Sequence, residues 1–128
     1  MTSYFDCTDE DITYLQSNLK IIRLSMGLSL DKFGKRFGLT KQSISNYERG
    51  LCKLNKPYYV ALRTMIDEEI VKSPDNKLLH YMIHIIFDDP NSIETNKQTI
   101  EQILAYIEGC KRLGVKYNIN DLLLSTLN

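Results

Sequence analysis

Between Ser29 and Gly50 the chain is punctuated as two short helices joined by a tight turn. Ser29 precedes the run Leu30 to Phe37, which Gly38 stops; Thr40 precedes Lys41 to Arg49, which Gly50 stops. A Ser or Thr hydroxyl accepts a backbone N–H that the first turn leaves without a partner, and glycine takes the left-handed conformation beyond the last turn without steric penalty. Two short helices joined by about three residues must cross closely, so the first needs a small residue inside it and the turn needs one that tolerates positive φ. Gly34 and Gly38 stand at those two places, four residues apart. Phe33, Phe37, Leu39, Ile44 and Tyr47 then form the buried side, which leaves Lys41, Gln42, Ser45 and Asn46 on the opposite face. Glutamine and asparagine are the side chains that bond an adenine edge bidentately in the major groove.

The charge distribution points to the same partner. The 128 residues hold sixteen basic and sixteen acidic side chains. Yet Leu19 to Arg63 carries ten basic residues against two acids, Asp31 and Glu48. Residues 1–18 carry four acids and no base, and residues 64–128 carry ten acids and six bases. A basic centre between acidic flanks is what one polyanion-facing surface produces.

The rest of the chain also reads as helix. Thr8 caps a helix predicted from Asp9 to Met26, with Ile12, Leu15, Leu19, Ile22 and Met26 on one side, and Gly27 ends it. A loop from Leu51 to Lys56 leads to Pro57, read as a first helical residue, and a helix to Val71. Ser73-Pro74-Asp75-Asn76 reads as a linker. Beyond it we predict a buried helix from Lys77 to Asp88 that is apolar almost all round, another from about Asn96 to Leu113, and a short last one holding Leu122, Leu123, Leu124 and Leu127. The expected organisation is a helix-turn-helix region over 1–72 and a carboxy-terminal helical region over 77–128 for dimerisation or partner binding.

Composition excludes several classes. Apolar residues make up 43% and charged residues 25%, with only six Gly and three Pro, which excludes collagen-like and wholly disordered chains. The longest apolar run, Tyr81 to Phe87, contains a histidine, His84, and is far short of the roughly 20 residues that a membrane helix needs. Asp6, Asp9, Glu10 and Asp11 make the amino terminus acidic, whereas a secretion signal starts basic. Cys7, Cys52 and Cys110 form no CxxC pair, so neither a disulfide scaffold nor a zinc site is expected, and a cytoplasmic, reducing setting fits.

Residues 19–66 resemble the Cro/cI-type (Xre-family) helix-turn-helix domain of phage repressors and bacterial regulators. The matching text is Leu19-Lys20-x-x-Arg23, Gly27-Leu28-Ser29, Phe33-Gly34-x-x-Phe37-Gly38-Leu39-Thr40 and Gln42-Ser43-Ile44-Ser45-x-Tyr47-Glu48-x-Gly50. The resemblance implies an all-α, lambda-repressor-like bundle of four or five helices, here followed by a small carboxy-terminal helical region. It implies dimers on two-fold symmetric operators, with the third helix in the major groove. By position, Lys41, Gln42 and Asn46, with Ser43 and Ser45 beside them, resemble the base-contacting residues. Ser29, Thr40, Lys53, Asn55 and Lys56 resemble the phosphate-contacting ones. Leu30 stands where the family often has a phosphate-touching glutamine, and Leu54 where a polar or basic residue is common, so phosphate grip is expected to shift to Lys35 and the loop lysines. Gly34 stands where the family usually has alanine. The resemblance also implies a partly buried ion pair between Arg23 and Glu48.

Other residues carry weaker signals. His80 and His84 have metal-ligand spacing, but no glutamate follows His80 and no third ligand is evident, so no metal and no cofactor are expected. Cys52, between Leu51 and Lys53, reads more simply as a small loop residue than as a redox sensor. Asp67-Glu68-Glu69 and Asp88-Asp89 read as solvated helix ends. No Gly-rich phosphate loop, nucleophile elbow or similar catalytic constellation is recognisable, and the chain is read as a non-enzyme: a dimeric, sequence-specific regulator of transcription, most simply a repressor. A second class stays open at this level, a protein-interaction module on the same scaffold. It would be an antitoxin, or a mobile-element inhibitor of a host nucleic-acid enzyme, with or without DNA-binding autoregulation.

Overall fold

The computed structural model describes residues 4–89, 91 and 97–115, and all regular structure among them is helical. The chain divides into two compact units, Met1–Lys72 and Ser73–Asn128.

The first unit opens with a single turn, Tyr4–Asp6, followed by α1 (Asp9–Ser17) and α2 (Leu19–Ser25). Thr8 caps α1 reciprocally. Its hydroxyl accepts the Asp11 N–H at 3.1 Å, while the Asp11 carboxylate accepts the Thr8 N–H at 2.9 Å. The single helix predicted to Met26 is instead broken at Asn18. There the Asn18 side-chain amide donates to the Tyr14 carbonyl at 2.9 Å, and the Ser17 hydroxyl donates to the same oxygen at 2.8 Å. The Asn18 backbone N–H turns to Leu15 O, three residues back. The side chains have taken the carbonyl that the helix ladder would use, a known way for Asn and Ser to interrupt a helix. α2 ends at Gly27, whose φ is +74°. There the Gly27 N–H bonds Leu24 O and the Leu28 N–H bonds Arg23 O, closing the last turn.

Next come α3 (Leu30–Lys35), α4 (Lys41–Glu48) and α5 (Lys56–Lys72). α3 stops two residues before the predicted Phe37, and Arg49 is the cap of α4 rather than its last residue. Asn55, not the residue before Pro57, caps α5. It accepts the Tyr58 N–H at 2.9 Å, and Pro57 falls second in the first turn, where a missing N–H is harmless. α3 and α4 meet at backbone contact. A β-carbon on Gly34 would lie 2.6 Å from Leu39 O, 3.2 Å from Thr40 O and 3.3 Å from Ile44 Cγ1. Leu15, Leu19, Ile22, Phe33, Ile44, Leu54, Leu62 and Ile66 fill the core. Phe37, Leu39 and Tyr47, predicted as buried, are half-buried at its edge, where Phe37 packs edge-on against Phe33.

In the second unit, Asn76 caps α6 (Lys77–Ile83) by accepting the Leu79 N–H. The predicted helix to Asp88 does not continue in α form. Residues His84–Asp88 make a wider π turn, which the Asp89 N–H closes onto His84 O, five residues back. The wider turn buries the consecutive Ile85 and Ile86 while His84 and Asp88 stay exposed. α7 (Lys97–Leu113) buries Ile100, Ile103, Ile107 and Cys110, one face at helical spacing. The helix predicted around Leu122–Leu127 lies outside the described residues. Among those described, no helix is long and apolar enough to cross a membrane.

Two glycine substitutions are expected to act in opposite senses. Gly34→Ala forces a methyl group into backbone oxygens. Overpacking of about 1–3 kcal/mol should outweigh the roughly 0.5–1 kcal/mol that alanine gains in a helix. Gly109→Ala on α7 meets nothing within 4 Å, so it should stabilise its unit by about 0.5–1 kcal/mol. Denaturant unfolding of the two variants measures both, and a stabilising Gly34→Ala would show that the crossing opens freely.

Candidate nucleic-acid interface

α4 is held from behind by two polar anchors. Arg23, on α2, donates from Nε and Nη2 to the two carboxylate oxygens of Glu48 at 2.6 and 3.0 Å. The side chains of this pair are 8% and 7% exposed. Its Nη1 also donates to Leu28 O at 3.0 Å, so one guanidinium ties α2, the turn before α3 and the end of α4 together. The second anchor is Gln16 on α1. Its amide donates to Tyr47 O at 3.0 Å and Cys52 O at 2.7 Å, and its carbonyl accepts the Leu54 N–H at 2.9 Å. Gln16 therefore fixes the loop that leaves α4. Nothing in the sequence singled it out, because a half-buried glutamine on an amphipathic helix reads as surface. Burial raises the Tyr47 phenol above its ordinary value, as do the neighbouring Tyr58 and Cys52.

The outer face of α4 is polar. Lys41 and Gln42 are exposed, and Ser43, Ser45 and Asn46 are half-buried. Gln42 Nε2 donates to Asn46 Oδ1 at 2.9 Å, and Arg49 Nη2 donates to the same oxygen at 3.1 Å. Residues 42, 46 and 49 share one face by their i, i+4, i+7 spacing. Arg49 is a member of this row that the sequence reading left out, although i+7 from Gln42 was a signal that could have found it.

The residues read as phosphate contacts fall into two sets. Ser29, Thr40 and Asn55 are helix N-caps, accepting the N–H of Lys32, Ser43 and Tyr58 respectively. Each thus marks a helix amino terminus, where the backbone N–H groups favour an anion. Lys35, Lys53 and Lys56 are exposed. Lys35 pairs with Asp31 at 3.1 Å and Lys53 with Asp9 at 3.9 Å, both solvent-bathed contacts that a phosphate can displace. Arg36 pairs with Glu69 on α5. An open cleft lined by Thr13, Gln16, Tyr47, Arg49 and Lys53 adjoins the end of α4.

The other sequence signals lead elsewhere. His80 Nε2 lies 3.1 Å from Ser73 O, and His84 Nδ1 lies 3.3 Å from Asp88. Among the described residues no three His, Cys, Asp or Glu side chains are grouped to hold a metal. Cys52 is exposed and Cys110 buried.

Residues 19–55 match the family model described as Helix-turn-helix, the model of the Xre/Cro/cI-type DNA-binding regulators. The match spans under a third of the chain. No curated protein and no solved structure matches the chain.

Removing either anchor should be measurable. Arg23→Ala strands the Glu48 carboxylate and is expected to destabilise by about 3–5 kcal/mol. Gln16→Ala should lose on the order of 1–3 kcal/mol, because three backbone groups lose their partner. It should also speed hydrogen exchange at the Leu54 amide. Unchanged exchange there would mean that the loop is held by something else.

Proposed function

We propose that the chain is a sequence-specific regulator of transcription that binds double-stranded DNA and acts as a repressor, with α4 lying in the major groove. The observation that carries the reading is the outward amide row of α4, set on a segment with ten basic residues and two acids, one of which Arg23 neutralises. Lys41, Gln42, Ser43, Ser45 and Asn46 face the bases. Lys35, Lys53 and Lys56, with the caps Ser29, Thr40 and Asn55, hold the sugar-phosphate strands. Phosphate contacts set orientation and base contacts set sequence, so the two groups of residues have separable roles. Repression needs nothing beyond occupancy, because a bound protein covers the site that a polymerase would use. The setting is the cytoplasm, and the chain performs no catalysis.

Two copies are proposed to act together through the second unit, whose α7 leaves Tyr106 and Leu113 exposed at 47% and 77%. A dimer places its two reading helices about 34 Å apart, one turn of DNA, and the linked contacts reinforce each other through effective concentration. The same exposed residues would serve partner capture instead, and a monomeric mass at micromolar concentration would move the reading to that class.

Selection of bound duplexes from a random library is the direct test, and an inverted repeat is expected. On the selected duplex, Gln42→Ala should lose about 1–3 kcal/mol of discrimination at one base pair. Lys53→Ala should weaken all sequences alike and lower the salt slope by about one. Identical uniform losses from both variants would contradict the assigned roles.

A further inference from the structure

We infer that Arg49 is a specificity-determining residue that fixes the hydrogen-bonding sense of the amide row, so that α4 reads adenine through Gln42 but guanine through Asn46 and Arg49. The inference rests on the proposed reading of α4 and assigns its base preferences. A guanidinium can only donate. The Asn46 atom 3.1 Å from Arg49 Nη2 is therefore the carbonyl Oδ1. The Gln42 atom 2.9 Å from that same oxygen must then be the amide Nε2. Neither amide orientation is arbitrary, because the obligatory donor at 49 sets Asn46 and Asn46 sets Gln42.

The chemistry follows from what each group has left. Both lone pairs of Asn46 Oδ1 are occupied, so Asn46 offers N–H donors and no acceptor. Gln42 keeps its Oε1 and one N–H, the acceptor and donor pair that matches adenine N6–H and N7. Asn46 cannot make that pair. Its amide N–H groups and the remaining Arg49 donors suit two adjacent acceptors, which in the major groove are guanine O6 and N7. From residue 42 to 49 the row spans about 10 Å along the helix axis, or roughly three base-pair steps. The adenine and the guanine thus belong to different base pairs of one half-site. A rival role for Arg49 is a plain phosphate contact at the cleft that it shares with Lys53.

Random-duplex selection with the full chain separates these roles, using wild type, Arg49→Ala and Arg49→Lys. Wild type is expected to enrich an A·T pair and, two or three steps away, a G·C pair. Arg49→Ala should lose the guanine preference by on the order of tenfold or more. It should also admit adenine there, because the Asn46 carbonyl is freed, while the A·T preference at the Gln42 position stays. Arg49→Lys, also a pure donor, should still favour guanine over adenine. If Arg49→Ala keeps every base preference and only weakens binding uniformly, with a shallower salt dependence, Arg49 is a phosphate contact and the inference is wrong. If wild type enriches no sequence at all, the proposed reading of α4 fails and this inference falls with it.

Discussion

Glu48 carries a negative charge into the most basic part of the chain, and its pairing with Arg23 makes that tolerable. Unpaired, a carboxylate 7% exposed would be costly to bury and would repel a polyanion approaching α4. Paired bidentately, it contributes no net charge to the site, and the guanidinium gains a carbonyl on the turn after α2 as well. Three segments are thereby registered by one side chain. Gln16 adds a fourth, the loop after α4, through three hydrogen bonds that involve only backbone groups on the other side. α4 is only eight residues long and would be marginal alone. These two anchors and the Gly34 crossing are what make it a fixed edge.

The rigidity suits the role proposed for α4. A side chain reads a base only if its backbone is placed to within a fraction of an ångström, and sites are best built on elements whose own supports are locked. Here the buried side of α4 supplies Ile44 to the core, the carboxy end is clamped by Arg23 and Gln16, and the amino end is capped by Thr40. The outer row is left to solvent. Within that row the hydrogen bonds run in one direction, from Arg49 and Gln42 onto Asn46, so the row is already ordered before a duplex arrives.

Much of this was legible in the sequence because local chemistry decides it. Thr8, Ser29 and Thr40 cap because a hydroxyl or its neighbour meets a free N–H within three residues. Gly27, Gly38 and Gly50 end helices because each takes a positive φ. What escaped depended on competition or on distance. The break at Asn18 arises because two side chains outcompete the ladder for one carbonyl, which periodicity does not register. The π turn at His84–Asp88 lets two adjacent isoleucines be buried together, again invisible to a count of apolar residues. Gln16 acts on partners 31 to 38 positions away, and only the fold brings them together. Arg49 stands at a helix end, where periodicity gives little weight, yet it continues the face of Gln42 and Asn46. The charge pattern, by contrast, survived folding, since Lys35, Lys41, Lys53 and Lys56 are all exposed.

In the proposed function, α4 presents its amide edge to a duplex. The side-chain amide resonances of Gln42 and Asn46 report on it most directly, followed by nuclear magnetic resonance as a mixed-sequence duplex is added to the full chain at low salt. These resonances and the backbone amides of residues 41–49 should move first and furthest. Shifts that gather instead on α6 and α7, with both side-chain amides unmoved, would contradict it.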